Sequence, residues 1–104
     1  MSALFGPAGN PENFPYKSSA DAPRWLRELG LDCYEYQCGK GVHVGEDTAR
    51  RVGLAAQREG VTLSLHAPYF INLANPDREA LQKTTGYITG ACLVADWMGC
   101  LLYT

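Results

Sequence analysis

Apolar and polar positions along this chain alternate between short runs and longer helical periods. "ALFG", Ala3 to Gly6, is a short apolar run that reads as a first strand, and "PAGNPENFP" behind it is a loop by composition. Ser18 or Ser19 then offers a helix cap. Asp21 sits in the first turn, and Ala22, Trp25, Leu26 and Leu29 follow at i, i+3, i+4 and i+7 until Gly30 stops the helix. "CYEYQ", Cys33 to Gln37, alternates, is rich in aromatics and is closed by "CGKG", so it reads as a second strand. A second helix is expected from about Glu46, with Val52, Ala55 and Ala56 on one face, Arg50, Arg51 and Arg58 toward solvent, and Gly60 as its stop. "VTLSLH", Val61 to His66, is the third strand. Asn75 is expected to cap a third helix with Pro76 in its first position and Leu81, Ile88, Ala91, Cys92 and Ala95 as its stripe, ending at Gly99. Gly86 and Gly90 weaken that helix by ~1 kcal/mol each relative to Ala. "CLLYT", Cys100 to Thr104, begins a fourth strand.

The order β-α-β-α-β-α-β, with helices long enough to cross over, implies parallel strands covered by helices, either doubly wound or curled into a barrel. A nucleotide-binding doubly wound sheet wants a glycine-rich turn after its first strand, and "GPAGNPE", Gly6 to Glu12, matches neither the dinucleotide fingerprint nor the phosphate loop. The barrel is favoured. A complete (β/α)8 barrel needs about 250 residues, and this chain has 104. The expected fold is therefore α/β, the N-terminal half of a (β/α)8 TIM barrel: one incomplete domain over residues 1–104, truncated in or after its fourth strand.

Composition narrows the partners. At 46% hydrophobic and 19% charged the chain can bury a modest core, and disorder is excluded. The net charge of −2 gives no bulk basic footprint, so contact with nucleic acid requires a local cluster of Lys and Arg. Cys33, Cys38, Cys92 and Cys100 show neither a C-x-x-C pair nor zinc-finger spacing, and no N-terminal apolar stretch resembles a signal peptide, which points to reduced thiols in a cytoplasmic protein. No apolar run reaches the ~20 residues of a membrane span.

The third strand has a direction. Val61, Leu63 and Leu65 face one way and Thr62, Ser64 and His66 the other. The aliphatic set belongs beneath helices and the smaller polar set inside the barrel, which puts His66 at the C-terminal end of its strand, where barrels carry their functional groups. The competing role for His66 is a hydrogen bond to a strand or loop carbonyl.

"SLHAPYFINLANPDREALQKT", Ser64 to Thr84, with "GPAG" near the start and "MGC" before the last strand, resembles the N-terminal part of the endonuclease IV family, zinc-dependent apurinic/apyrimidinic endonucleases built on a xylose-isomerase-like barrel. The most specific piece is His66-x-x-Tyr69-x-Ile71-Asn72-Leu73. The resemblance implies hydrolysis of the phosphodiester 5′ to an abasic sugar, zinc as cofactor and damaged DNA as partner. Through it His66 inherits the place of a zinc ligand, and Tyr69 that of a side chain entering DNA near the lesion. Tyr69 and Phe70 equally suit a cover over the barrel top, and Asn72 reads first as a loop residue bonding backbone.

The chain also departs from that family. The later zinc ligands and the His-Pro-Gly segment expected after the fourth strand lie beyond Thr104, so the chain alone is expected to hold zinc weakly and to be inactive. No catalytic residue is assigned. Lys40 and His43, on a loop that follows a strand, are candidate contacts to the DNA backbone, with a solvated loop as the alternative for His43. Glu35 and Gln37 are expected to make structural hydrogen bonds. Two other readings stand beside the nuclease: a fragment of a sugar isomerase or epimerase of the same superfamily with a divalent metal, and a non-catalytic half-barrel that self-associates through its open edges.

Overall fold

A computed structural model describes residues 2–103, Tyr103 through its backbone alone. Ser18 caps a 3-10 turn, Ser19–Asp21, its hydroxyl accepting from the Ala20 amide at 3.2 Å. Pro23 has no N–H to give the Ser19 carbonyl, which takes the Ala22 amide instead, so the first turn is 3-10 and the α-helix α1 spans Ala22–Glu28. Ala22 and Leu26 are buried as expected, but Leu29 lies past the last turn and is 55% exposed. The remaining elements are β1 (Cys33–Gln37), α2 (Glu46–Glu59), β2 (Thr62–His66), α3 (Arg78–Met98) and β3 (Leu101–Tyr103). Gly60 and Gly99, at φ of 68° and 67°, close α2 and α3 in the left-handed conformation that glycine adopts without strain.

Four expectations require correction. Ala3 to Gly6 forms no strand. Phe5 to Gly9 does run parallel to β1, its Phe5 and Pro7 carbonyls accepting from Cys33 and Glu35 at 3.3 and 3.1 Å and its Gly9 amide donating to Glu35 at 2.8 Å. Pro7 has no N–H for the Cys33 carbonyl, so the ladder reduces to the single bridge between Ala8 and Glu35. The third helix is capped by Asp77, whose Oδ2 accepts from the Ala80 amide at 3.2 Å, while Asn75 caps only the local turn by accepting from the Asp77 amide at 3.0 Å. Its buried stripe is Thr84, Ala91, Val94, Ala95 and Met98, which leaves Cys92 exposed. The fourth strand is shorter than "CLLYT", and Thr104 lies outside the described residues.

The strands pair in chain order, β1 with β2 and β2 with β3, all parallel, with the Phe5–Gly9 segment on the outer side of β1. α2 packs against both α1 and α3. Tyr34, Leu63 and Leu65 point toward these helices and join Leu26, Val52, Val94 and Met98 in one core. A doubly wound sheet reverses its strand order and covers both faces; strands in sequence with the core on one face form the wall of a barrel. Two local devices hold the helices. Arg27 donates from Nε to the Glu59 carbonyl at 3.1 Å, from Nη2 to the Gly60 carbonyl at 2.6 Å and from Nη1 to Asp32 at 3.2 Å, tying α1 to the end of α2. Gly53 lets α2 close against the Met98 backbone of α3. Among the described residues no helix is long and apolar enough to cross a membrane.

Candidate functional site

The register of β1 and β2 aligns Glu35 with Ser64 and Gln37 with His66, and neighbours in a parallel pair point to the same face. All four side chains therefore stand on the concave face, opposite Leu63 and Leu65. Ser64 Oγ donates to Glu35 Oε2 at 3.4 Å and Gln37 Nε2 to Glu35 Oε1 at 2.9 Å. These are structural hydrogen bonds, as expected for Glu35 and Gln37, and they hold the carboxylate within the wall.

His66 ends β2 at the carboxyl edge. Its Nδ1 lies 2.6 Å from the Ala67 carbonyl. A carbonyl only accepts, so Nδ1 is the donor in this contact; in the neutral ring that leaves the lone pair on Nε2, the arrangement in which a second interaction orients a ligating imidazole. The chain then turns through buried Ala67 and Pro68, and the Tyr69 amide donates to the Gly39 carbonyl at 3.0 Å, joining this loop to the one that follows β1. The Cys38 amide, which donates to the His66 carbonyl at 2.9 Å, makes a second tie.

Tyr69 is 74% exposed. It meets Phe70 edge to face at 5.6 Å, and Phe70 meets Tyr87 of α3 at 4.8 Å. Asn72 serves its loop, accepting from the Ala74 amide at 3.1 Å.

Lys40 and His43 are exposed on the loop after β1 and so reach the same edge as His66 and Tyr69. Arg24, Arg27, Arg50, Arg51 and Arg58 each lie within 4.0 Å of a carboxylate along or beside the helices. Lys17, Lys40, Arg78 and Lys83 have no such partner among the described residues, and Lys17 lines a cleft with Gln37 and His43 at the end of β1. Lys17 was not singled out in the sequence, since only the folding of its loop beside the end of β1 brings it to this edge.

A catalytic zinc takes three protein ligands and a structural zinc four, yet no group of three His, Cys, Asp or Glu side chains comes together among the described residues. Cys38, the nearest thiol along the chain to this edge, is 2% exposed, and burial raises its pKa.

A wall of parallel strands taken in chain order, with its core under the helices and its free polar groups on the carboxyl edge, is the opening part of a TIM barrel. Residues 23–104 match the family described as xylose isomerase-like TIM barrel, and the chain belongs to that family. It is 33% identical over 81 residues to an uncharacterized protein of Methanocaldococcus jannaschii, a similarity that covers 78% of this chain and 28% of that protein. The chain thus spans less than a third of that relative's length in the matched region.

Proposed function

We propose that the chain carries the first part of an endonuclease IV-like DNA-repair enzyme, a cytoplasmic, zinc-dependent hydrolase that cuts the phosphodiester 5′ to an abasic site. The observation that carries this reading is the pairing, on one edge, of a His66 imidazole with its Nε2 lone pair free and a Tyr69 ring that projects into solvent. In this reading His66 is one ligand of a zinc cluster whose other ligands come from outside the described residues. Tyr69 fills the gap left by the missing base, where an aromatic ring regains the stacking that the lesion removed. Lys17, Lys40 and Arg78 meet backbone phosphates on either side, a local basic group in a chain of net charge −2. The sugar isomerase and epimerase reading wants carboxylates around one metal, and Glu35 on the concave face is engaged by Gln37 and Ser64.

The test is fluorescence anisotropy with a labelled duplex containing one abasic analogue, beside the same duplex intact. Weak binding that favours the abasic duplex, with the preference lost in Tyr69→Ala, is the expected result. Equal affinity for both duplexes, whether or not Tyr69 is present, refutes the reading. The 104 residues alone are expected not to incise the duplex; incision lost in His66→Ala overturns the assignment of the remaining ligands to other parts of the barrel.

A further inference from the structure

A cleft of about 500 Å³ opens at the carboxyl edge beside the end of β1, and Lys17, Ser18, Ser19, Gln37, His43 and Thr48 are among the residues lining it. No Asp or Glu lines it, in a chain with 11 acidic residues against nine Lys and Arg. The nearest acids of α2 are turned to its own arginines, Glu46 to Arg50 at 3.6 Å and Asp47 to Arg51 at 2.8 Å. Cys38 also borders the cleft and adds no negative charge, because burial keeps its thiol protonated.

The lining is rich in donors. Lys17 has no carboxylate partner among the described residues, and the imidazole of His43 and the hydroxyl of Thr48 add further N–H and O–H groups. Ser18 Oγ accepts from the Ala20 amide at 3.2 Å and Ser19 Oγ from Asn10 Nδ2 at 3.3 Å. With its lone pair engaged by the protein, the Ser18 O–H hydrogen can turn toward the cleft, whereas the Ser19 hydroxyl is also hydrogen-bonded to Tyr34. The adjacent Glu35 carboxylate is held by Gln37 and Ser64 on the concave face and is not part of the lining, and donors in a lining without a carboxylate suit a group that only accepts and carries negative charge. Gln37 lines the same cleft and is the cross-strand neighbour of His66, so the cleft lies at the β1 end of the edge that His66 also ends.

We propose that this cleft is a phosphate-binding subsite, seating a phosphoryl group whose attached sugar extends toward His66. The phosphate of an abasic DNA strand and that of a free sugar phosphate share this chemistry. The proposal deepens the nuclease reading and rests on it only for which of the two is bound.

The experiment follows backbone amides by 1H–15N correlation spectra of the full chain, titrated with inorganic phosphate against chloride at matched ionic strength. Parallel titrations use ribose 5-phosphate and an abasic duplex. Saturable shifts at Ser18, Ser19, His43 and Thr48 are expected with phosphate, and Lys17→Gln or His43→Ala should weaken them about tenfold, the effect of losing one charge-assisted contact. Unchanged amides of Leu63 and Val94 report that these surface variants keep the fold. Absence of saturation, or an affinity the variants do not alter, overturns the subsite. If both phosphates bind but the duplex leaves the cleft amides unmoved, the subsite stands and the nuclease reading fails. If the duplex moves Tyr69 and the cleft responds to none of the three ligands, the subsite fails and the nuclease reading stands.

Discussion

Replacing a helix-interior glycine by alanine is ordinarily a stabilising change, since alanine is favoured by ~1 kcal/mol in a helix. Two such glycines separate under the tertiary structure. At Gly86 of α3 nothing lies within 4 Å of the position an added Cβ would take, so Gly86→Ala should realise the full gain. A melting temperature higher by roughly 4–8 °C follows for a domain near this size. At Gly53 of α2 the added Cβ would meet the Met98 carbonyl oxygen, with the carbonyl carbon at 2.9 Å and Cα at 3.0 Å. Those are backbone atoms, which cannot rotate aside, so α2 and α3 would have to move apart. Overpacking costs ~1–3 kcal/mol, and an obstruction made of backbone belongs at the upper end. Set against the propensity gain of ~1 kcal/mol, Gly53→Ala should lose ~2 kcal/mol net, a fall of roughly 8–16 °C. Thermal melts of the two variants followed by circular dichroism at the helix band decide the matter. A Gly53→Ala protein that melts with or above the parent, as Gly86→Ala should, refutes the close approach of α2 to the Met98 backbone.

Arg27→Lys keeps the charge but can reproduce at most part of the guanidinium's three contacts to Glu59, Gly60 and Asp32; with a side chain 39% exposed, the loss should be about 1–2 kcal/mol by urea denaturation, and an unchanged midpoint would show that the tie is idle. Burial pushes Tyr34, 2% exposed, up from the ordinary 10.0 to about 12. Because the folded state favours the protonated phenol, its contribution is complete below about pH 10 and is lost as pH rises from about 10 to 12, a change of about 3 kcal/mol. Burial also raises Tyr36, so tyrosinate absorbance should show a late part that coincides with unfolding and is reduced in Tyr34→Phe; titration of every tyrosine near pH 10 with the fold intact would contradict this. Calorimetry with zinc should find no tight site in this chain, whereas stoichiometric zinc lost in His66→Ala would mean that other groups complete a shell around that imidazole.

Much of the fold was legible because its signals are local. Gly30, Gly60 and Gly99 end or follow their helices where periodicity stops, Glu46 opens α2 as expected, and the alternation of "TLSLH" put Leu63 and Leu65 in the core and left His66 on the other face. The boundaries that moved did so where neighbouring signals compete: Asp77 against Asn75 for one cap, and Pro23 against the α-helical pattern that begins at Ser19. Ala3 to Gly6 looked like a strand because a run of apolar residues carries no record of which amide its neighbour needs, and Pro7 lacks that amide.

The candidate site divides in the same way. A parity of two along one strand is intrinsic to the backbone, so the sequence alone placed His66 on the polar face at the end of β2, and the motif that follows it directed attention to Tyr69. Only the parallel register, set by strands joined through whole helices, aligned Gln37 with His66 and Glu35 with Ser64. Only the fold turned His66 Nδ1 to the Ala67 carbonyl, and only the packing of loops showed that Lys17 lines a cleft with His43 while most arginines pair along their helices. Periodicity reports which way a side chain leaves its own element. What it meets there depends on residues far away in the chain, whose approach is decided by the burial of the shared core.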